Sequence, residues 1–420
     1  MKILLINKYY YVKGGSETYF FGLKKMLEDN GHTVIDFSME DEKNMDSEYK
    51  GYFVDNINYG EDGSVLGKVK DGLKLINSKE AYQKLCKLIE ATKPDIAHVN
   101  LVYHQLTPSV FHALKKYNIP TVHTSHDYKM ICPNYKLFNK GEICTKCAND
   151  KYFNCFINNC HKNSRAASLL LTIEAYYHKA KKSYDIADII ICPSNFMYSQ
   201  LLNNGYPDSK LVHLPNFITN DFSTVAANQG DEIKEDYLLY YGRLSEEKGI
   251  DVLLDAMKLV EGSCKLLIVG TGPERERLEQ RVSSEGINNI AFLGFKSGIE
   301  LQQLILKAKA TVIPSIWHEV FGLTIIESFS MGTPVIGSET GGVRELIKNR
   351  QSGFLFERGN VRELSDSIRL LYSMDSSSYL KMSKQCITDA QMYSPNQYYR
   401  SLLPIYERLV ISKLQVSGEV

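Results

Sequence analysis

Short β-branched runs alternate with longer amphipathic stretches through nearly the whole chain. In the first half, Lys2–Ile6, Thr33–Phe37, Ile96–Val99, Thr121–Thr124 and Asp188–Cys192 are β-branched or apolar over most of their length, the pattern of strands covered on both faces. Between them lie helical stretches such as Glu17–Asn30, closed by Gly31, and Ala81–Thr92, which stops just before Lys93-Pro94. This alternation predicts parallel sheets wrapped by helices. The periodicity lapses over Thr219–Asp236 (TNDFSTVAANQGDEIKED), which reads as a linker. It then restarts, with strands at Tyr237–Tyr241, Lys265–Val269, Asn289–Phe292, Ala310–Pro314 and Thr333–Gly337. Helices fall at Ile250–Val260, Glu274–Glu285, Ile299–Lys307 and Leu323–Met331. A last helix, Pro395–Leu414, follows the second set of elements. The expected organisation is an N-terminal Rossmann-like domain over 1–218, a linker over 219–236 and a second Rossmann-like domain over 237–394. A C-terminal segment, 395–420, is expected to pack back on the first domain.

Composition narrows the function classes. At 420 residues, two domains are the natural division. Basic and acidic side chains number 49 each, so no global charge recruits nucleic acid. Residues 1–220 carry 27 basic and 23 acidic side chains against 22 and 26 in the remainder, a mild tilt toward an anion in the first half. The first apolar run is too short for a signal-peptide core, and no run approaches the length of a spanning helix. A cytosolic protein is expected, with any membrane contact peripheral, at the inner face of the plasma membrane. Nine cysteines in a reducing compartment argue against a disulfide framework.

The segment His318–Glu327, H-E-V-F-G-L-T-I-I-E, carries the strongest chemical signal. Gly322 marks a turn between a strand end and a helix start, where exposed N–H groups and the helix dipole favour a diphosphate. Glu319 precedes that turn, and Glu327 lies about one helical turn beyond it. Upstream, Tyr241-Gly242-Arg243 ends a strand and Lys248 follows five residues later, so two cations could meet a departing pyrophosphate. His126, in His123-Thr124-Ser125-His126-Asp127, follows another strand end, at the edge where ligands of open α/β sheets bind. His123 reads instead as a core hydrogen-bonder. A bare pair of glutamates, or an Arg and a Lys on a loop, is more often solvated surface; the combination is what carries weight.

Together with Gly14-Gly15 near the start and the G-T-P-V-I-G…G-G run, these residues give the chain its resemblance to the retaining glycosyltransferases of family 4. The resemblance covers nearly the whole chain and implies the GT-B fold, two Rossmann-like domains facing each other across a cleft. It implies transfer of a sugar, by default a hexose from a UDP-hexose with GDP-mannose as the alternative donor, to an acceptor hydroxyl with retention of configuration. By the same resemblance the acceptor is a growing capsule, lipopolysaccharide or exopolysaccharide chain, or a lipid-linked glycan. Arg243 and Lys248 match the pair that binds the donor phosphates, and Glu319 the acid that holds the donor sugar. Phe321, Gly322, Leu323 and Thr324 match the turn whose amides bind sugar and phosphate, and Glu327 the ribose ligand. Gly14 and Gly15 match the first-domain loop over the diphosphate, and His126 the histidine lining the sugar. Gly242, Gly270 and Gly272 lie on strand-end loops of the nucleotide side, and Gly294-Phe295-Lys296 resembles the stretch that reads the base. The chain contains no D-x-D metal-chelating pair, so no cofactor is expected to be required for catalysis.

Three features fall outside that frame. Cys132, Cys144, Cys147, Cys155 and Cys160 crowd into an insertion at about 130–163. The C-x-x-C step suits tetrahedral zinc, with Cys132, Cys144, Cys147 and Cys160 as ligands, while the alternative is a set of packed thiols. Lys68, Lys70, Lys74, Lys79, Lys84 and Lys87, and separately Lys179, Lys181 and Lys182, could face anionic headgroups. Rival readings are a nucleotide-sugar epimerase of the same fold and a non-catalytic nucleotide-sugar-binding protein. An NAD-dependent oxidoreductase fits poorly, because no G-x-G-x-x-G opens the first helix.

Overall fold

Ile3, Leu4, Leu5 and Ile6 in strand β1 (Lys2–Ile6) have no solvent-accessible surface, which is why this run forms a central parallel strand. The computed structural model describes residues 1–56, 72, 74–219, 234–260, 262 and 264–417. Contacts divide the chain into two units. The first contains Met1–Leu137, Cys144–Pro215 and Pro395–Val420, and the second Phe138–Ile143 and Asn216–Ser394. Six residues of the cysteine-rich insertion therefore group with the second unit. From 220 to 233 the expected linker lies outside the described residues, and Glu235 and Asp236 already belong to a strand.

In the first unit, β1 is followed by α1 (Gly15–Asp29), β2 (Thr33–Phe37), α2 (Lys79–Thr92), β3 (Ile96–Val99), α3 (Ser109–Lys116) and β4 (Thr121–Thr124). A two-residue hairpin, β5 (Phe138–Asn139) and β6 (Glu142–Ile143), is counted with the second unit. Helices α4 (Phe153–Ile157) and α5 (Arg165–Ala180) lead to β7 (Ile189–Cys192), α6 (Asn195–Asn203) and β8 (Leu211–His213). The parallel sheet runs β2-β1-β3-β4-β7-β8, so chain order reverses between β1 and β3.

The second unit comprises β9 (Glu235–Tyr241), α7 (Ile250–Leu259), β10 (Lys265–Val269), α8 (Arg275–Ser284), β11 (Ile290–Gly294) and α9 (Gly298–Lys307). It continues through β12 (Ala308–Ile313), α10 (Leu323–Ser330), β13 (Val335–Ser338), α11 (Val343–Leu346), β14 (Gly353–Phe356), α12 (Val361–Ser373) and α13 (Ser376–Ala390). Its parallel sheet runs β11-β10-β9-β12-β13-β14, the Rossmann order, with the reversal between β9 and β12. Leu238, Leu266, Ile268, Val312 and Ile336 fill one face beneath α7 and α12.

The last helix, α14 (Pro395–Ser417), belongs to the first unit. Leu402 and Tyr406 are fully buried and Tyr398 nearly so, each side chain contributing ~2 kcal/mol of burial. Three polar contacts fix its register. Tyr398 meets the Tyr19 hydroxyl, Tyr399 meets His32 Nε2 at 2.8 Å, and Tyr406 meets His98 Nδ1.

Candidate functional site

Ligands of open α/β sheets bind beyond the carboxyl ends of the strands where strand order reverses, because adjacent loops diverge there and leave a crevice. In the second unit that position lies between the ends of β9 and β12, and Arg243, Lys248 and Glu319 all follow those two strands.

After Tyr241 the chain turns out of the sheet, and the Tyr240 hydroxyl donates to the Arg243 carbonyl at 2.8 Å, fixing the turn from below. The loop after β10 presses against it. A methyl group at Gly270 would sit 1.8 Å from the Gly242 carbonyl oxygen, and one at Gly272 would sit 2.1 Å from that of Leu244. Both glycines are thus required by the packing of one strand-end loop on the other. The Arg243 side chain is exposed and has no ion pair among the described residues.

Lys248 closes a 3-10 turn, Glu246–Lys248, and the Glu247 carbonyl accepts from the Ile316 amide at 3.0 Å, tying this turn to the segment after β12. Lys248 Nζ reaches Glu319 Oε1 at 2.8 Å and lies 5.4 Å from the centre of the Trp317 ring. Ser315 donates its hydroxyl to the same carboxylate oxygen. Glu319 is only 8% exposed, so an ion pair and a hydroxyl hold this carboxylate at the mouth of the sheet. From behind, the Gly342 amide donates to the Glu319 carbonyl at 2.7 Å.

Gly322 has φ 122° and turns the chain into α10, whose N-terminus has no side-chain cap. The first-turn amides at Leu323 and Thr324 are therefore left to an external acceptor, with the helix dipole adding partial positive charge. One turn on, Glu327 is buried, and that burial raises its carboxyl to about 7, with the adjacent Tyr241 hydroxyl pulling the other way. The Tyr241 hydroxyl donates to the Thr324 carbonyl at 2.6 Å, pinning this helix start to the end of β9. Phe295, just beyond β11, keeps 69% of its surface exposed.

The first unit builds its own strand-end cluster at the β1/β3 reversal. The Asn7 carboxamide oxygen accepts from the Leu101 amide at 3.2 Å, and Lys8 N–H donates to the Leu101 carbonyl at 2.7 Å. Asn100 accepts from His126 Nε2 at 2.8 Å, and the His126 ring stands edge-on to Tyr19, with ring centres 4.7 Å apart. Burial, with His123 nearby, pushes His126 down to about 3, so the ring is neutral, and the residue is not fully covered. His123 is bonded through Nδ1 to the Val99 carbonyl at 3.0 Å, as a core residue would be. Gly14 is extended, and a methyl there would meet only the Glu17 carboxylate at 3.8 Å. Among the described residues, nothing in the packing demands glycine at this position. Gly15 is the first residue of α1.

Several of these groups escaped the motif reading. Lys8 is 95% buried, with its ammonium 4.6 Å from the ring centres of both Tyr9 and Tyr103. Burial, reinforced by Lys13, lowers it to about 8. Tyr103 donates to Asp127, whose carboxyl is raised by burial. Asn7, Lys8 and Asn100 directly follow β1 or β3, so a rule of reading the first residues after each strand would have found them. Ser315 follows β12 in the same way.

The four cysteines assigned to zinc all lie in the first unit and are electrostatic neighbours of one another. Asn134 links two of them, its amide donating to the Cys160 carbonyl at 3.2 Å while its oxygen lies 2.9 Å from Cys132 Sγ. Cys147 and Cys155 pack with Tyr152, Leu171 and Cys160 in a small apolar cluster. Among the described residues, no group of three or more His, Cys, Asp or Glu side chains is placed to hold a metal ion.

Residues 13–222 match the family described as Glycosyltransferase Family 4, and residues 223–391 match Glycosyl transferases group 1. An uncharacterized glycosyltransferase of Methanocaldococcus jannaschii is 26% identical over 369 residues, covering 88% of this chain and 87% of that protein. An uncharacterized 42.6 kDa protein in the cps region of Klebsiella pneumoniae is 24% identical over 91% of this chain and 100% of its own. The solved structure of Anabaena HepE in complex with UDP superposes with a TM-score of 0.66 at 17% identity, covering 97% of this chain and 100% of that one. The same protein has been solved with UDP-glucose. At that identity the likeness establishes a shared fold.

Proposed function

The chain belongs to glycosyltransferase family 4 and is built as a GT-B glycosyltransferase, and from that premise we propose that it moves a hexose from a UDP-hexose onto an acceptor hydroxyl with retention of configuration. The observation that carries this reading is the convergence at one sheet edge of Arg243, the Lys248–Glu319 pair and the uncapped start of α10. Fixed cations and amide dipoles at one point suit a group whose negative charge grows as its bond breaks. The bond from the anomeric carbon to the donor phosphate oxygen breaks while the acceptor oxygen bonds that carbon from the same face. The acceptor proton passes to a phosphate oxygen of the departing nucleotide. Glu319 holds hydroxyls of the donor sugar, Glu327 accepts from the ribose hydroxyls, and the neutral His126 lines the sugar. Gly14 fits this reading, since its missing side chain leaves room that the protein does not itself use. Arg243, Lys248 and the α10 N-terminus supply the charge a divalent ion would otherwise bring, so turnover should persist in EDTA.

The acceptor in this proposal is a growing cell-surface polysaccharide or a lipid-linked glycan, supported by the relative from the cps region. Mass spectrometry of products from UDP-, GDP- and dTDP-sugars with lipid-linked acceptors tests the donor, and the anomeric coupling in the product NMR spectrum tests retention. An inverted product would overturn the front-face mechanism. Turnover of a nucleotide sugar without acceptor would make the protein an epimerase. For the cysteines we propose a structural zinc held by Cys132, Cys144, Cys147 and Cys160, supported by their being electrostatic neighbours and by backbone amides of Asn134, Lys136 and Leu137 directed at Cys132 Sγ. Protein purified without chelators should then carry close to one equivalent of zinc; less than about a tenth would leave these residues as packing thiols.

A further inference from the structure

Large apolar side chains that stand exposed are scattered over most of the described residues, but six of the seventeen fall within Phe153–Tyr176. They are Phe153, Phe156 and Ile157 on α4, and Leu169, Ile173 and Tyr176 on α5. On α5 their spacing of four and three residues makes a single stripe. The opposite side of that helix buries Ser168, Leu171, Thr172 and His178. The two helices are joined where their exposed faces meet. The Phe153 amide donates to the Tyr176 hydroxyl at 3.3 Å, and the Tyr152 and Tyr176 rings lie with centres 5.3 Å apart. Tyr176 thus joins the exposed apolar side chains of the two helices, a clustering that a water-facing protein rarely leaves uncovered.

Exposed bases outnumber exposed acids around this surface, where Asp185 is an exposed acid close to Lys182. Residues 146–182 contain seven basic and two acidic side chains. One of the acids, Glu174, is turned inward and held by Lys129 at 2.7 Å with both groups buried. The other, Asp150, is paired with Lys179 at 3.0 Å. Lys151, Lys162, Arg165, Lys181 and Lys182 are exposed. The lysine-rich stretch noted earlier in the sequence offers less. Lys84 is ion-paired with Glu80 at 2.9 Å and Asp55 at 3.0 Å, and Lys68 and Lys70 lie outside the described residues. No helix among the described residues is long and apolar enough to cross a membrane.

We propose that the exposed face of α4 and α5 docks on an anionic bilayer surface. The aromatic and aliphatic side chains enter the boundary between headgroups and acyl chains, and the surrounding lysines and Arg165 meet lipid phosphates. A protein partner would explain an apolar patch equally well, but less readily a rim where the exposed bases Lys151, Lys162, Arg165, Lys181 and Lys182 outnumber exposed acids such as Asp185. The proposal goes beyond sugar transfer and does not depend on it, so its test reads binding alone.

The full chain is floated with vesicles of phosphatidylcholine alone and with vesicles containing phosphatidylglycerol. Binding to the anionic vesicles should be at least ~10-fold stronger and should weaken as salt rises. The Phe156→Glu/Ile157→Glu double variant should lose at least ~10-fold in binding to them, and Lys181→Glu/Lys182→Glu a similar factor that vanishes at high salt. A Phe156→Trp variant keeps the surface apolar, and its added indole fluorescence should be quenched by brominated acyl chains on binding, a readout independent of any destabilised variant. Absence of flotation with anionic vesicles, or an added indole signal untouched by brominated lipid when that variant is bound, would overturn the proposal. So would light scattering in which the double glutamate variant at 156 and 157 converts a dimer to a monomer, since that assigns the face to a second copy of the chain.

Discussion

Lys248 and Glu319, 71 residues apart in the chain, form an ion pair with Nζ 2.8 Å from Oε1 across the loops that follow β9 and β12. The pair is partly buried, with side-chain exposures of 26% and 11%, and it has Ser315 as a second donor to the same oxygen. Glu319→Gln keeps the shape but removes the charge, and Lys248→Ala removes the cation. Each should lower kcat by roughly 10²–10³-fold, the usual loss for one preorganised electrostatic group. The effects should be strongly non-additive in the double variant because the residues touch. Steady-state kinetics on the three variants checks this, and fully additive losses would mean that the pair does not act as a unit.

Glu327 gives the protein a pH dependence near neutrality. Its carboxyl is raised by burial from the ordinary 4.5 to about 7. The folded state therefore holds a proton that the unfolded state has lost between those values, and stability contributed at this site falls as pH rises from about 4.5 to 7. UDP binding should run the other way, since ribose hydroxyls donate to the carboxylate. Affinity should rise through about pH 7 and level off above it. In Glu327→Gln the binding curve should be weaker and flat through that range, and melting at pH 8 should move up. Calorimetry and thermal melts between pH 5.5 and ~8.5 read both arms.

Gly14 and Gly270 should respond oppositely to the same change. Gly270→Ala places a methyl 1.8 Å from the Gly242 carbonyl oxygen, at a φ of 138°, and should cost at least ~2 kcal/mol of stability. Gly14→Ala meets nothing closer than 3.8 Å, so its melting temperature should match or slightly exceed that of the parent, the unfolded chain having lost some freedom. Its UDP-sugar turnover should nevertheless fall by ~10-fold or more if the open space receives a donor phosphate. A Gly14→Ala enzyme with full activity would remove this loop from the site.

Tyr406 is fully buried at the centre of the last helix, and its hydroxyl meets His98 Nδ1. Burial holds His98 well below its ordinary range, with His126 and His123 adding to the shift, so the ring stays neutral and needs a partner. Tyr406→Phe keeps the packing and orphans one ring nitrogen. It should destabilise the first unit by ~1–3 kcal/mol, seen as an earlier denaturant midpoint with an unchanged m value.

The amino-acid pattern alone determined the strand cores, because a parallel strand covered on both faces favours β-branched and apolar side chains throughout. Lys2–Ile6, Thr33–Phe37, Ile96–Val99, Thr121–Thr124 and Lys265–Val269 have the same bounds in the structure as in the pattern. The restart after the linker gave the second α/β unit, and Arg243, Lys248, Glu319 and Glu327 carried the resemblance to glycosyltransferase family 4. Leu211–His213 and Gly353–Phe356, short edge strands with little periodicity of their own, went unread, as did α5, whose exposed face is apolar rather than polar. Only the tertiary structure decided which strands are neighbours, and with it the order reversal that sets Lys248 against Glu319. Hydropathy periodicity is a local property, readable over a dozen residues. The Lys248–Glu319 ion pair and the raised carboxyl of Glu327 depend on groups brought together from distant parts of the chain, and the apolar face on α4 and α5 on how two neighbouring helices pack. Their energies are set by burial, which no local pattern contains.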